Sequence, residues 1–421
     1  MATGFSGAAG TVHVIGAGVA GLAAAVALAA RGRRVAVYEG AGHAGGRCRS
    51  FYDDTLGCRI DNGNHLLLSG NLATQKYLRQ IGAEASLTGP DQADFPFMDL
   101  RTGERWSVKP DKGLIPWSLL SSDGRVPGTS LWEYLRGIAL AWAPPGKTVS
   151  QCLKGNGQLF ERFWEPLAVS VLNTEADKAS AKLLWPVLRE TFGRGAAACR
   201  PLIARQGLSE SFVEPALAYL HKTKNTVAFN HRLKQMEFAN GRLKALNFTG
   251  ARIELTVQDH VILAVPPAIA GSLVPDLDVP DQFRAIVNGH FRLPTSSPKV
   301  AFIGLVGGCS HWLFVRNDMA SVTVSAATEL ATQPSPDIAL RLWPEICRAL
   351  ELGDCPMGPH RIVKEKRATF AQTPGQVLKR PDPSTAYDNL VLAGDWTNNG
   401  LPATIEGAIR SGQRAAELVV C

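Results

Sequence analysis

Val12-His13-Val14-Ile15-Gly16-Ala17-Gly18-Val19-Ala20-Gly21 reads as an apolar strand that enters a helix through a Gly-x-Gly-x-x-Gly turn. Each glycine has its own reason. Gly16 permits the tight turn, Gly18 lets the backbone approach a pyrophosphate, and Gly21 removes a side chain that would hold the helix off the strand. The helix is expected from Val19 to Ala30 with Gly32 as its stop, and Arg34-Val35-Ala36-Val37-Tyr38 as the next strand. Glu39, at the end of that strand, is placed to take two ribose hydroxyls, which favours a ribose without a 2′-phosphate. With 41 glycines in the chain a triplet alone would mean little. The strand–turn–helix–strand–acid order makes it a dinucleotide site.

Farther along, Gly45-Gly46-Arg47-Cys48-Arg49-Ser50 is a second glycine pair followed by cations, one loop away from the first turn. Arg47 or Arg49 can meet a phosphate. Near the C-terminus Leu390-Val391-Leu392-Ala393-Gly394-Asp395 is another buried strand, and Gly400 to Ala408 opens a final helix. Three separated loops converging on one ligand imply a long cofactor.

On these three motifs the chain resembles the flavin amine oxidase and carotenoid desaturase superfamily. The resemblance implies FAD, with Gly16, Gly18, Gly21, Glu39, Gly45, Gly46 and Arg47 on the adenine-dinucleotide side. It also implies that Asp395, after Gly394, holds the ribityl or pyrophosphate region, that the backbone at Leu233 bonds adenine, and that Ala403, Thr404 and Ile405 aim the last helix at the pyrimidine edge of the flavin. A helix N-terminus suits the negative charge of reduced flavin. The fold implied is mixed, α/β and α+β. A discontinuous Rossmann-like FAD-binding domain (10–75, 205–275, 385–421) carries an inserted, amine-oxidase-like substrate domain of mixed sheet and helices (76–204, 276–384).

Length and composition fit this. A chain of 421 residues, 45% hydrophobic and 19% charged, buries a substantial core. Only the Gly/Ala/Ser-rich first ten positions are expected to fray. The uncharged run Val14–Ala30 is broken by its glycines and closed by Arg31, so it is neither a membrane span nor a signal sequence. Net charge is +7, but the cations are scattered without interleaved aromatics, which argues against nucleic acid and leaves an anionic membrane surface as the partner. Eight cysteines show no pairing pattern and no metal spacing, so we expect reduced thiols, no metal, and a cytoplasmic protein peripheral on the inner membrane.

Thr226–Phe229, Arg232–Phe238 and Leu243–Phe248 around Asn240-Gly241 read as a β-meander, and Val261–Pro267 as a strand returning to the cofactor. Ser130 to Trp142 is apolar with isolated charges. It reads first as a core helix and second as a membrane-facing entrance with Trp117, Trp132 and Trp142 at the interface.

Two clusters carry candidate chemistry. In Asp61-Asn62-Gly63-Asn64-His65, an Asx-turn accounts for Asp61 and Asn62, while His65 is either a satisfied core histidine or a proton donor. In Phe163-Trp164-Glu165-Pro166-Leu167, Glu165 sits in an apolar helix, where burial would raise its pKa. Capping, or pairing with Arg162, is the alternative.

Together with Gly394-Asp395-Trp396-Thr397, these clusters resemble the bacterial hydroxysqualene dehydroxylases of the hopanoid pathway. The resemblance implies a long-chain isoprenoid substrate, acid-assisted loss of an allylic hydroxyl with Glu165 or His65 as donor, and hydride from reduced flavin. Thr397 after Trp396, where amine oxidases carry a second aromatic, argues against amine oxidation. A phytoene-type polyene desaturase and a non-catalytic prenyl-lipid escort are the alternatives, the escort being disfavoured by the complete cofactor constellation. No second dinucleotide turn follows a strand, so the electron donor is unidentified.

Overall fold

The computed structural model describes residues 10–113 and 115–419, with backbone only at 297–300. The expected fraying of the first ten positions falls almost wholly, and Cys421 entirely, outside the described residues.

The nucleotide-binding layer starts with β1 (Val12–Ile15), α1 (Val19–Ala29) and β2 (Val35–Tyr38). It is completed by β3 (Thr226–Ala228), β4 (His260–Leu263), β5 (Leu390–Leu392) and the last helix, α2 (Ile405–Leu418). The five strands are all parallel, in the order β3-β2-β1-β4-β5. Sheets of this kind are covered on both faces, which explains why β1, β4 and β5 are almost unbroken runs of buried residues. α1 is apolar around most of its circumference because it is wedged between the sheet and α2. The two helices approach closely at Gly412, where a Cβ would lie 2.1 Å from the Ala20 carbonyl oxygen.

The expected meander is real but shifted. Thr226–Ala228 joins the parallel sheet beside β2, and the three antiparallel strands are Leu233–Ala239, Arg242–Phe248 and Ala251–Glu254. A short apolar run carries no mark of its partner, and the third strand is too polar to show alternation.

A second sheet is mixed. Its long central strand, Phe283–Val306, runs antiparallel to Trp312–Val324 and His360–Phe370 and parallel to Phe95–Asp99, which pairs in turn with Arg105–Val108. The helix Ser335–Leu350 covers part of it through Ile338, Leu342 and Ile346. A separate aromatic core holds Phe95, Phe97, Trp106, Phe163, Trp164 and Phe302.

The Ser130–Trp142 segment departs from its first reading as a core helix. A short helix, Leu131–Leu135, continues as a 3-10 turn, Arg136–Trp142, and only Gly137 and Leu140 of the pair are buried. No helix among the described residues is long and apolar enough to cross a membrane.

Candidate cofactor and substrate site

The glycine turn after β1 is built as the sequence demands. Gly16 has φ +106°, and a Cβ there would sit 2.4 Å from the Ala264 carbonyl oxygen; one at Gly21 would sit 1.9 Å from that of Gly16. Gly18 differs: a Cβ on it would meet nothing within 4 Å. It caps α1 without a side-chain cap, and the first turn holds no acid. The free N–H groups of α1 therefore face open space over a bare backbone, an arrangement suited to a phosphate.

The second glycine loop lies edge to edge with the first. Gly45 N–H donates to the Ala17 carbonyl at 2.8 Å, Gly45 bridges Gly18, and a Cβ on Gly46 would lie 3.5 Å from Gly18 Cα. Two loops far apart in sequence thus make one surface. Glu39 accepts the Ala17 N–H at 2.8 Å and the Ala41 N–H at 2.9 Å, one on each oxygen. Each oxygen retains a lone pair for a ribose hydroxyl. The backbone behind Glu39 is fastened to the strand that leads to buried Leu233, because His231 N–H donates to the Glu39 carbonyl.

Arg47 reaches across to the third loop. Its guanidinium donates to Asp395 Oδ1 at 2.7 Å and to the Ala368 carbonyl at 2.5 Å. Asp395 is buried, while 44% of the Arg47 side chain stays accessible. The Asp395 carboxylate holds the Arg47 pKa above its ordinary value against the opposing effect of burial. Gly394 is required by Trp396, whose indole would lie 2.4 Å from a Cβ. That indole is buried and donates to the Val265 carbonyl, so Trp396 supports the loop from behind.

Thr404 caps α2 by accepting the Gly407 N–H. Ala403 N–H is held by Gln372 Oε1 at 3.0 Å. Glu406 turns away to accept Ala73 N–H and the Thr74 N–H and hydroxyl, and pairs with Arg410; its task is structural.

Around Arg47, Asp61 and Asn62 do satisfy polar groups, but not through a local turn. Asp61 Oδ1 accepts the Ser50 hydroxyl and the Leu208 N–H, and Asn62 Nδ2 donates to the Arg47 carbonyl and Glu365 Oε2. His65 bonds no group among the described residues, and burial pushes its pKa down to about 4, with Asp61 opposing and Arg47 reinforcing the shift. The ring is neutral near pH 7.

Glu165 is exposed, which departs from the buried one of its two sequence readings. It lies where the π-helical turn Phe160–Trp164 passes without a break into the helix Glu165–Leu172, ahead of Pro166 and of the buried stripe Ala168 and Leu172. Arg162 pairs with Glu104 at 2.7 Å and is not its partner. Desolvation, with Glu161 and Asp177 nearby, still raises its pKa.

Three residues here were missed from the sequence. Glu365 comes to Asn62 from the His360–Phe370 strand. Fully buried Gln372 joins the Leu172 carbonyl to Ala403. Arg380 donates to the carbonyls of Asp395 and Thr397 and to Asn399 Oδ1, its pKa lowered by burial to about 10. None lies in a motif; each acts through tertiary contacts.

The chain matches the model of the flavin containing amine oxidoreductases over residues 19–420. It is 47% identical over 411 residues to a hydroxysqualene dehydroxylase of Rhodopseudomonas palustris, covering 97% of this chain and 98% of the relative. To the hydroxysqualene dehydroxylase of Zymomonas mobilis it is 42% identical over 408 residues, with the same coverages. Among solved structures, putrescine oxidase bound to putrescine superposes with TM-score 0.67 at 15% identity, covering 98% of this chain and 99% of the other. Cyclohexylamine oxidase of Brevibacterium oxydans superposes with TM-score 0.68 at 15% identity, covering 98% of each. The solved structures share the fold; the close relatives share the sequence from end to end, so the chain belongs to the flavin-containing amine oxidoreductase family, and within it to the hydroxysqualene dehydroxylases.

Proposed function

We propose that this protein carries out the FAD-dependent reductive dehydroxylation of hydroxysqualene to squalene. The observation that carries this reading is identity above 40% to hydroxysqualene dehydroxylases along nearly the whole of both chains. The site geometry supports it. The Gly16–Gly21 turn and the Gly45–Gly46 loop would hold the pyrophosphate with backbone N–H groups, and Glu39 the adenosine ribose. The Leu233 backbone would meet adenine, the Arg47–Asp395 pair the centre of the cofactor, and Ala403–Ile405 the pyrimidine edge.

When bound and reduced, FAD supplies a hydride. The substrate's allylic C–O bond breaks, oxygen leaves as water after taking a proton, and the carbon gains hydrogen with two electrons. The chain must deliver the proton and exclude water from the delocalised cation. Of the two donors proposed, Glu165 has a pKa raised by desolvation and by the neighbouring Glu161 and Asp177, whereas neutral His65 offers only its ring N–H. The substrate dissolves only in lipid, so it would be drawn from a membrane surface; the electron donor is a separate partner.

Anaerobic mixing of photoreduced enzyme with hydroxysqualene tests the reading. Flavin reoxidation with stoichiometric squalene is expected. No reoxidation and no squalene would reject it, and new conjugated absorption from oxidised enzyme with phytoene would instead make it a desaturase.

A further inference from the structure

Between residues 115 and 142 the surface presents Trp117, Leu120, Trp132, Leu135, Ile138 and Trp142, with Trp132 and Trp142 75% and 77% exposed. Four of these recur every three or four residues along Leu131–Trp142 and form one stripe. The opposite side is anchored. A Cβ on Gly137 would lie 2.6 Å from the Trp164 ring, Leu140 is buried, and Tyr134 Oη accepts the Val126 N–H. Ser130 and Glu133 close the start of the helix with a capping box. The stripe therefore points outward because its back is packed on the aromatic core.

We infer that the 115–142 surface docks on an anionic phospholipid bilayer. Charge decides between bilayer and protein. Lys112, Arg136 and Lys147 are exposed and make no ion pair among the described residues, while Asp123 is the exposed acid of this stretch. Asp111 and Glu133 stay anionic but are tied down by Ser118 and Ser130, and Arg125 adds a fourth cation, so four cations face three acids across residues 111–147. A second copy docked face to face would set these cations against their own kind. Lipid phosphates would neutralise them. The indole N–H groups of Trp117, Trp132 and Trp142 donate to nothing among the described residues, which leaves them for ester and phosphate oxygens at the depth where tryptophan settles. Apolar stripe, interfacial tryptophans and flanking cations are the three components of a helix that lies in the plane of a membrane. The docking rests on this surface; only its use as a substrate entrance rests on the proposed reaction.

The test uses the full-length holoenzyme with vesicles of phosphatidylcholine alone or with a quarter phosphatidylglycerol, and with dibrominated acyl chains. Cosedimentation with the anionic vesicles, loss of binding at high salt and quenching of tryptophan by the brominated chains are expected. The double variant Leu135→Asp, Ile138→Asp should partition at least about tenfold more weakly, with its flavin spectrum and turnover of micellar substrate retained. Absence of wild-type binding, equal binding by the variant, or a wild-type dimer that the variant dissociates would overturn the inference. If micellar turnover is absent in both proteins while vesicle binding differs, the reaction is rejected and the docking stands.

Discussion

Arg47 and Asp395, 348 residues apart in the chain, form an ion pair of 2.7 Å that ties the second glycine loop to the C-terminal strand. The pair is asymmetric, since the carboxylate is buried and the guanidinium half accessible. Replacing Arg47 by Met leaves a buried carboxylate without its counter-ion. A loss of about 2 kcal/mol is expected, discounted for the accessibility of Arg47. Equilibrium unfolding in urea measures it, and flavin retention on dialysis should fall with it.

Gly18 and Gly21 separate folding from cofactor binding. Gly21→Ala drives a Cβ into the Gly16 carbonyl and should yield little folded protein. Gly18→Ala meets no protein atom, so the apoprotein should melt within about a degree of wild type. FAD should nevertheless bind at least about tenfold more weakly, because the methyl occupies the approach to the pyrophosphate. Equal FAD affinity in Gly18→Ala would move the phosphates elsewhere.

Proton delivery is tested by paired variants. With Glu165 as the donor, Glu165→Gln should lower the rate of hydroxysqualene reduction by about a hundredfold or more without changing the flavin spectrum. The wild-type rate should also fall as pH rises through the elevated pKa of Glu165. If Glu365→Gln has that effect and Glu165→Gln does not, the carboxylate beside Asn62 and Arg47 takes the role.

Acid should destabilise the fold through its enclosed histidines. Burial lowers the pKa of His65, His290 and His311 to about 4, from an ordinary 6.5. Above pH 6.5 both folded and unfolded states are neutral and nothing is lost. Between 6.5 and 4 the unfolded chain binds protons that the folded one refuses, so stability falls by up to about 1.4 kcal/mol per pH unit for each such ring. His290→Gln, which keeps a polar partner for the Ser321 hydroxyl, should flatten the pH dependence of the urea midpoint across that window. An unchanged slope would show that His290 is not one of the groups responsible.

Gln372 couples the helix bearing Glu165 to the entry of α2. Gln372→Leu strands the Ala403 N–H and leaves the Leu172 carbonyl with only the Thr174 hydroxyl, a cost of about 1–3 kcal/mol. A lowered urea midpoint together with a shifted flavin absorption band would show both ends of this link.

How much of this was legible in the sequence depended on where each signal lies. The glycine turn, Glu39, the Gly45–Gly46 pair and Gly394-Asp395 are local. Each glycine answers to a backbone conformation or close approach within its own loop, so residue type and spacing suffice. Thr226–Ala228 was assigned to the wrong sheet because three apolar residues do not name their neighbour. A buried Glu165 was one of two sequence readings; it fails because the π-helical turn Phe160–Trp164 shifts the phase of the helix just before residue 165, which a regular 3.6-residue period does not register.

The chain's order of strands, glycines and acids by itself determined a parallel nucleotide-binding layer with its glycine loops, since turn geometry and hydrophobic period are encoded over a few residues. Only the tertiary structure decided that Arg47 meets Asp395, that Glu365 and Gln372 reach the site, that His65 is held neutral, and that the Trp132–Trp142 stripe faces outward. Those outcomes depend on which distant surfaces come together and on how much water they expel, which no short stretch of sequence records.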